Sequence, residues 1–118
     1  MRGIRGAITV EKNKSENIIA AASRLIKEII EANQVSTEEI VSIIFTATKD
    51  LNQEYPAVAA RKLGYKNIPL MCYQELNVEN SLSKCIRVMI YINRSSDPAA
   101  INHVYLKKAK SLRPDLME

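Results

Sequence analysis

Two arginines, a carboxylate and a phenol interrupt apolar segments of this 118-residue chain: Arg5 in "RGIRGA", Glu75 in "CYQEL", Arg87 in "CIRVM" and Tyr105 in "HVYL". Arg87 stands out most, set among Cys85, Ile86, Val88, Met89, Ile90, Tyr91 and Ile92. A guanidinium is not deprotonated in a protein, so one buried in such a run needs an anion beside it. Taken singly, each residue has an ordinary reading. Arg5 faces solvent on an edge strand, Glu75 is a strand-end surface carboxylate, Arg87 pairs with Glu75 in a structural ion pair, and Tyr105 is packing. Taken together they suit a pocket for a polyanion that also carries a hydroxyl. The planar fork of arginine holds carboxylates bidentately. Gly3 and Ala7 flank Arg5 on its strand face and leave space beside it.

Other chemistries lack their parts. One histidine, His103, cannot build a multi-histidine metal site, and Cys72 and Cys85 are too few and too far apart for a zinc ribbon. Three glycines form no phosphate-cradling loop. Lys107, Lys108 and Lys110 have no interleaved aromatic residues for stacking on bases and read as a solvated strand face. No metal and no cofactor is expected.

The elements that must position these residues follow from periodicity. Residues 2–11 alternate, with Ile4, Gly6, Ile8 and Val10 on one side and Gly3, Arg5, Ala7 and Thr9 on the other, which predicts a strand. Ile18, Ala22, Leu25, Ile26, Ile29 and Ile30 recur at helical spacing, with Asn13 or Ser15 able to cap that helix. "STEE" at 36–39 predicts a capping box, and "IVSIIFTAT" at 40–48 a central buried strand. "YPAVAARKLG" predicts a short helix opened by Pro56 and stopped by Gly64. Strands follow over 67–76 and 85–93, then a polar turn through Ser95, Asp97 and Pro98, and a last strand in "INHVYLKKA".

The expectation is therefore a single α/β (α+β) domain over residues 1–118, a mixed sheet of about five strands with one long and one short helix. At 47% hydrophobic with only one Phe, five Tyr and no Trp, the core must be aliphatic. One long helix covers part of one face of such a sheet. The rest would expose more apolar surface than a monomer tolerates, which predicts oligomerisation. A formal net charge of +4 and a pI of about 9.1 fit an anionic small molecule better than nucleic acid. No run is long enough to span a membrane and none at the start reads as an apolar leader, so a cytoplasmic protein with reduced thiols is expected.

"RGIRGAITVE", "TATKDLNQEYPAVAAR", "CYQELNV" with "KCIRVMIYI", and "HVYLKKAKSLRPDL" together resemble the monofunctional chorismate mutases of the AroH class, in order and over nearly the whole chain. The resemblance implies a pseudo-α/β-barrel homotrimer with active sites in clefts between subunits. It also implies isomerisation of chorismate to prephenate in aromatic amino-acid biosynthesis, with no cofactor. Carried over by position, Arg87 would meet the ether oxygen and a carboxylate, and Glu75 the ring hydroxyl. Arg5 and Tyr105 would hold the enolpyruvyl carboxylate. Cys72, with the backbone of Met71, Tyr73 and Gln74, would line the hydroxyl side. Tyr55 and Arg61 would come from the neighbouring subunit, and Leu112 and Arg113 would help close the site. A member of that class has phenylalanine, lysine and threonine where Tyr55, Val58 and Met71 stand, and the missing lysine would take one positive charge from the cleft rim. Two other classes compete with this reading. One is a trimeric small-molecule-binding protein or deaminase of related architecture. The other is a basic RNA-binding module, which steep salt dependence of binding would reveal.

Overall fold

The alternating residues at the start do form a strand. In the computed structural model, which describes residues 1–112, β1 (Arg2–Thr9) leads into the helix α1 (Ser15–Asn33) and then β2 (Ile40–Ala47). The short helix α2 (Ala57–Lys62) follows, then β3 (Leu70–Gln74), β4 (Cys85–Ile92) and β5 (Val104–Leu106). One mixed sheet runs in the order β3-β2-β4-β1-β5. The central strand β4 is antiparallel to both neighbours, β1 and β2, whereas the edge strands β3 and β5 run parallel to β2 and β1. β2, expected at the centre, is an interior strand one place off it.

Residues paired across a ladder share a face of the sheet. One face carries the rows Ile43–Ile90–Ile4, Phe45–Val88–Gly6 and Ala47–Ile86–Ile8. Onto it α1 lays Ile18, Ala22, Leu25, Ile26 and Ile29, all fully buried. Each isoleucine or leucine among them contributes roughly 1.5–3 kcal/mol relative to exposure. Gly6 sets how closely the layers approach. A Cβ there would lie 2.7 Å from Ile29 Cδ1 and 3.0 Å from the Val104 carbonyl oxygen. The molecule measures 37 × 33 × 20 Å. Its short dimension holds one sheet and one helical layer of about 10 Å each. Among the described residues, no α-helix lies over the second face of the sheet, the helix-free face, which only a short 3-10 segment at 107–112 partly covers.

The helix ends differ from expectation at one side. Lys14 occupies the N-cap of α1 with no side-chain cap. Asn13 and Ser15 are engaged elsewhere: Asn13 exchanges two hydrogen bonds with Asn52, at 2.8 and 3.1 Å, and the Ser15 hydroxyl donates to Glu54. They tie the helix start to the loop before α2. At the other end Gln34 takes a left-handed conformation with φ of 49°. Arg94 donates to the Asn33 and Gln34 carbonyls, where a cation complements the helix dipole. The same guanidinium pairs at 2.7 Å with Glu39, the acidic member of the Ser36–Glu39 capping box, which forms as expected.

The last strand is shorter than its pattern predicts. Lys107 has φ of +54°, and residues 107–112 wind into a 3-10 turn. Lys107, Lys108 and Lys110 therefore sit on that turn and not on a strand face. The turn packs Ala109 and Leu112 with Tyr105, Ala7 and Cys85, a small second cluster on the helix-free face.

Candidate active site

The helix-free face carries one unbroken row across all five strands: Tyr73, Thr46, Arg87, Ala7 and Tyr105. The next row is Met71, Ile44, Met89 and Arg5. Glu75 stands one residue beyond β3, and its N–H extends the pairing by donating to the Ala47 carbonyl at 2.9 Å. Together these elements wall a cleft of about 310 Å³ lined by Arg5, Thr46, Glu75, Arg87, Tyr105 and Leu112, floored in part by Ile44 and Met89. The space expected beside Arg5 is not left by its small neighbours: Met89 Sδ lies 3.0 Å from where a Gly3 Cβ would stand, and Ala7 is buried with Cys85, Tyr105 and Ala109.

Arg87 Nε lies 3.6 Å from Glu75 Oε2, and their side chains keep 46% and 24% of their accessible surface. That separation is an ion pair outside hydrogen-bond range, so both groups retain capacity for a ligand. The buried guanidinium expected from "CIRVM" is thus half-exposed in the single chain, because it points to the face without helices. Thr46 Oγ1 donates to Glu75 Oε2 at 2.7 Å. The Leu76 N–H reaches Glu75 Oε1 at 3.3 Å. The Arg5 backbone N–H donates to His103 Nδ1 at 2.9 Å, which fixes the strand and leaves the guanidinium unengaged by that bond. Tyr105 is buried against Ala7, Cys85 and Ala109.

Burial pushes the Cys85 thiol up to about 11, against the partial opposition of Arg87, and burial raises Cys72 as well. Both stay protonated at neutral pH, so neither is a nucleophile. Among the described residues no group of three or more His, Cys, Asp or Glu could hold a metal ion, and no helix is long and apolar enough to cross a membrane. The cleft offers charge and hydrogen bonding: the Arg87–Glu75 pair, with the Arg5 guanidinium and the Tyr105 phenol in the same lining.

A family profile for chorismate mutase type I matches residues 1–116. The chain belongs to that family. Two curated chorismate mutases named AroH are each 44% identical over 117 residues, 98% of this chain. One is from Bacillus subtilis (strain 168), of which 92% is covered, and the other from Thermus thermophilus, of which 96% is covered. The solved chorismate mutase from Clostridium thermocellum superposes with a TM-score of 0.92 at 47% identity, over 94% of this chain and 99% of that one.

Of the residues expected from sequence, the fold gathers Arg5, Glu75, Arg87, Tyr105 and Leu112 into the one cleft. Met71 and Tyr73 share its face on the edge strand, about half-exposed. Cys72 and Gln74 do not join them. Side chains alternate along β3, so these two face the helical side, where they line a second cavity of about 410 Å³ with Tyr55. Arg61 on α2 is close enough to Cys72 for its charge to offset part of the burial effect. Within one chain, Tyr55, Arg61 and Cys72 thus form a separate group from Arg87 and Glu75. Arg113 lies outside the described residues. Thr46 was not singled out from the sequence. Its signal was a hydroxyl inside "IVSIIFTAT", on the same alternation as Ile44.

Proposed function

We propose that this protein is a chorismate mutase that isomerises chorismate to prephenate in a cleft completed by a neighbouring subunit of a homotrimer. The observation that carries this is the cleft itself, which gathers Arg5, Glu75, Arg87 and Tyr105 in one lining with Arg87 paired to Glu75. Chorismate is a dianion with a ring hydroxyl. Its rearrangement is pericyclic: the C–O ether bond breaks as a C–C bond forms, with no proton or covalent intermediate to manage. Catalysis then consists of selecting the compact conformer and stabilising charge that grows at the transition state.

In this reading Arg87 donates to the ether oxygen, where negative charge accumulates, and to the side-chain carboxylate. Glu75 accepts from the ring hydroxyl and lies near the developing positive charge of the ring. Arg5 and Tyr105 hold the enolpyruvyl carboxylate, and Leu112 closes the cleft toward the C-terminal end. Tyr55, Arg61 and Cys72 sit on the helical side of the sheet and cannot reach a ligand bound by Arg87 in the same chain. Their contribution requires a second subunit to present its α2–β3 edge to the helix-free face of the first. The half-exposed Met71 and Tyr73 and the exposed Leu76 and Val78 on and after that edge support such burial. The protein is expected to act inside the cell, in aromatic amino-acid synthesis.

Purified protein mixed with chorismate should remove its ultraviolet absorbance and yield prephenate, in the presence of a chelator. A rate no higher than the uncatalysed one, from a folded protein, would exclude this reading.

A further inference from the structure

We infer that Thr46 is a positioning residue for the rearrangement, acting through Glu75; this rests on the reading of the cleft given above. Its hydroxyl donates at 2.7 Å to Glu75 Oε2, the same oxygen that faces Arg87 Nε at 3.6 Å. An arginine and a carboxylate left to themselves close to hydrogen-bonded contact of about 2.7–2.9 Å. Here they stand apart, and the hydroxyl holds the oxygen that would close the gap. Strand register puts Thr46 in this role, because it is the Cα partner of Arg87 on β4 and of Tyr73 on β3. It lies between the guanidinium and the strand whose continuation carries Glu75. Branching at Cβ restricts its χ1, so the direction of the hydroxyl is set by the strand.

Two consequences follow for the reaction. The carboxylate is oriented, with Oε1 held, among the described residues, by the long Leu76 contact and able to accept from the ring hydroxyl. Arg87 is kept from being neutralised by Glu75 and stays available to the ether oxygen. Without the hydroxyl, the attraction between Glu75 and Arg87 is unopposed, and the pair closes on itself at the expense of both substrate contacts.

The test compares Thr46→Val and Thr46→Ser, each alone and combined with Glu75→Ala, with fold and oligomeric state checked for every variant. Thr46→Val removes the hydroxyl at constant shape and should lower kcat/KM by about tenfold or more, the scale of a hydrogen bond to a charged group, with most of the loss in kcat. Thr46→Ser keeps the hydroxyl and should stay within about threefold of the parent, and in the Glu75→Ala background the valine change should cost less than about twofold. A crystal structure of Thr46→Val should show the Arg87–Glu75 contact closed to hydrogen-bond distance. Thr46→Ala replaces the valine variant if that fails to fold. The inference is overturned by a valine variant at parental rate, by a serine variant as impaired as valine, or by a loss that persists undiminished without Glu75. If Glu75→Ala itself matches the parent, the role given to Glu75 fails and that of Thr46 with it. An impaired Glu75→Ala beside a harmless Thr46→Val removes Thr46 alone.

Discussion

At the scale of the residue, Arg87 carries the most. In the chain alone its guanidinium is half in solvent and 3.6 Å from Glu75, a geometry that stores little stability. If, as proposed, a neighbouring subunit excludes water from the cleft, a donor aimed at growing charge there is worth about 3–4 kcal/mol, or roughly 10²–10³ in rate. Arg87→Ala should therefore lower kcat by that factor and raise KM, since a carboxylate contact is lost as well. Arg87→Lys should recover little, because it keeps the charge but loses the fork and the reach. Steady-state kinetics on folded variants check this. An alanine variant within about threefold of the parent, a difference of only about 0.7 kcal/mol, would leave Arg87 a structural partner of Glu75. The type of residue announced this role in the sequence. Thr46 was harder to see, because threonine belongs in strands and only the register against Arg87 gives its hydroxyl a target.

At the scale of the element, the strands and helices were legible because aliphatic periodicity is strong here. The misses have local causes. Asn13 and Ser15 look like caps but bind the loop holding Asn52 and Glu54, a tertiary contact that no local pattern encodes. The last strand stops at Leu106 because Lys107 adopts positive φ, which lysine does not advertise. The site role carried over for Cys72 came with no sheet face; the period of two along β3 supplies one, on the side away from the cleft of Glu75. Gly6 illustrates a requirement of packing and not of turn geometry. Gly6→Ala would drive a methyl against Ile29, Leu25 and the Val104 carbonyl. It should destabilise by about 1–3 kcal/mol, the usual range for overpacking, and loosen β5 with its Tyr105. Chemical denaturation together with KM reports both effects. The clamp between Arg94 and Glu39 makes a pH prediction. The guanidinium and the Ser36 N–H pull the Glu39 carboxyl down to about 2 from 4.5. A carboxyl lowered by folding stabilises above its unfolded value and loses that contribution as pH falls through its folded value. The stability difference between the parent and Glu39→Gln should thus be constant above about pH 4.5 and shrink toward pH 2. Urea midpoints across that range test it, and a gap that widens on acidification would contradict the assignment.

At the scale of the whole molecule, the expected site residues fall into two groups on opposite faces of the sheet. Arg5, Glu75, Arg87 and Tyr105 belong to the helix-free face, while Tyr55, Arg61 and Cys72 belong to the helical side by β3. The resemblance read from the sequence already assigned Tyr55 and Arg61 to a neighbouring subunit; it did not part Cys72 from Glu75, which only the alternation along the folded β3 does. If each set serves half of one site, the contact is between different surfaces of adjacent subunits, a head-to-tail arrangement that closes as a ring. Light scattering should then give three times the 13.3 kDa chain mass. A sharper outcome comes from mixing. Arg87→Ala spoils one half and Arg61→Ala the other, so each homotrimer alone should be nearly inactive. When the two are unfolded together in equal amounts and refolded, a site is intact only where an Arg61→Ala subunit offers its Arg87 to the Arg61 of an Arg87→Ala neighbour. Random assembly of such a ring makes about a quarter of the sites whole. The mixture should recover about that fraction of parental kcat per site, against almost none for either variant refolded alone. Sites contained within one chain would give no recovery at any mixing ratio, because every chain in the mixture carries one of the two lesions.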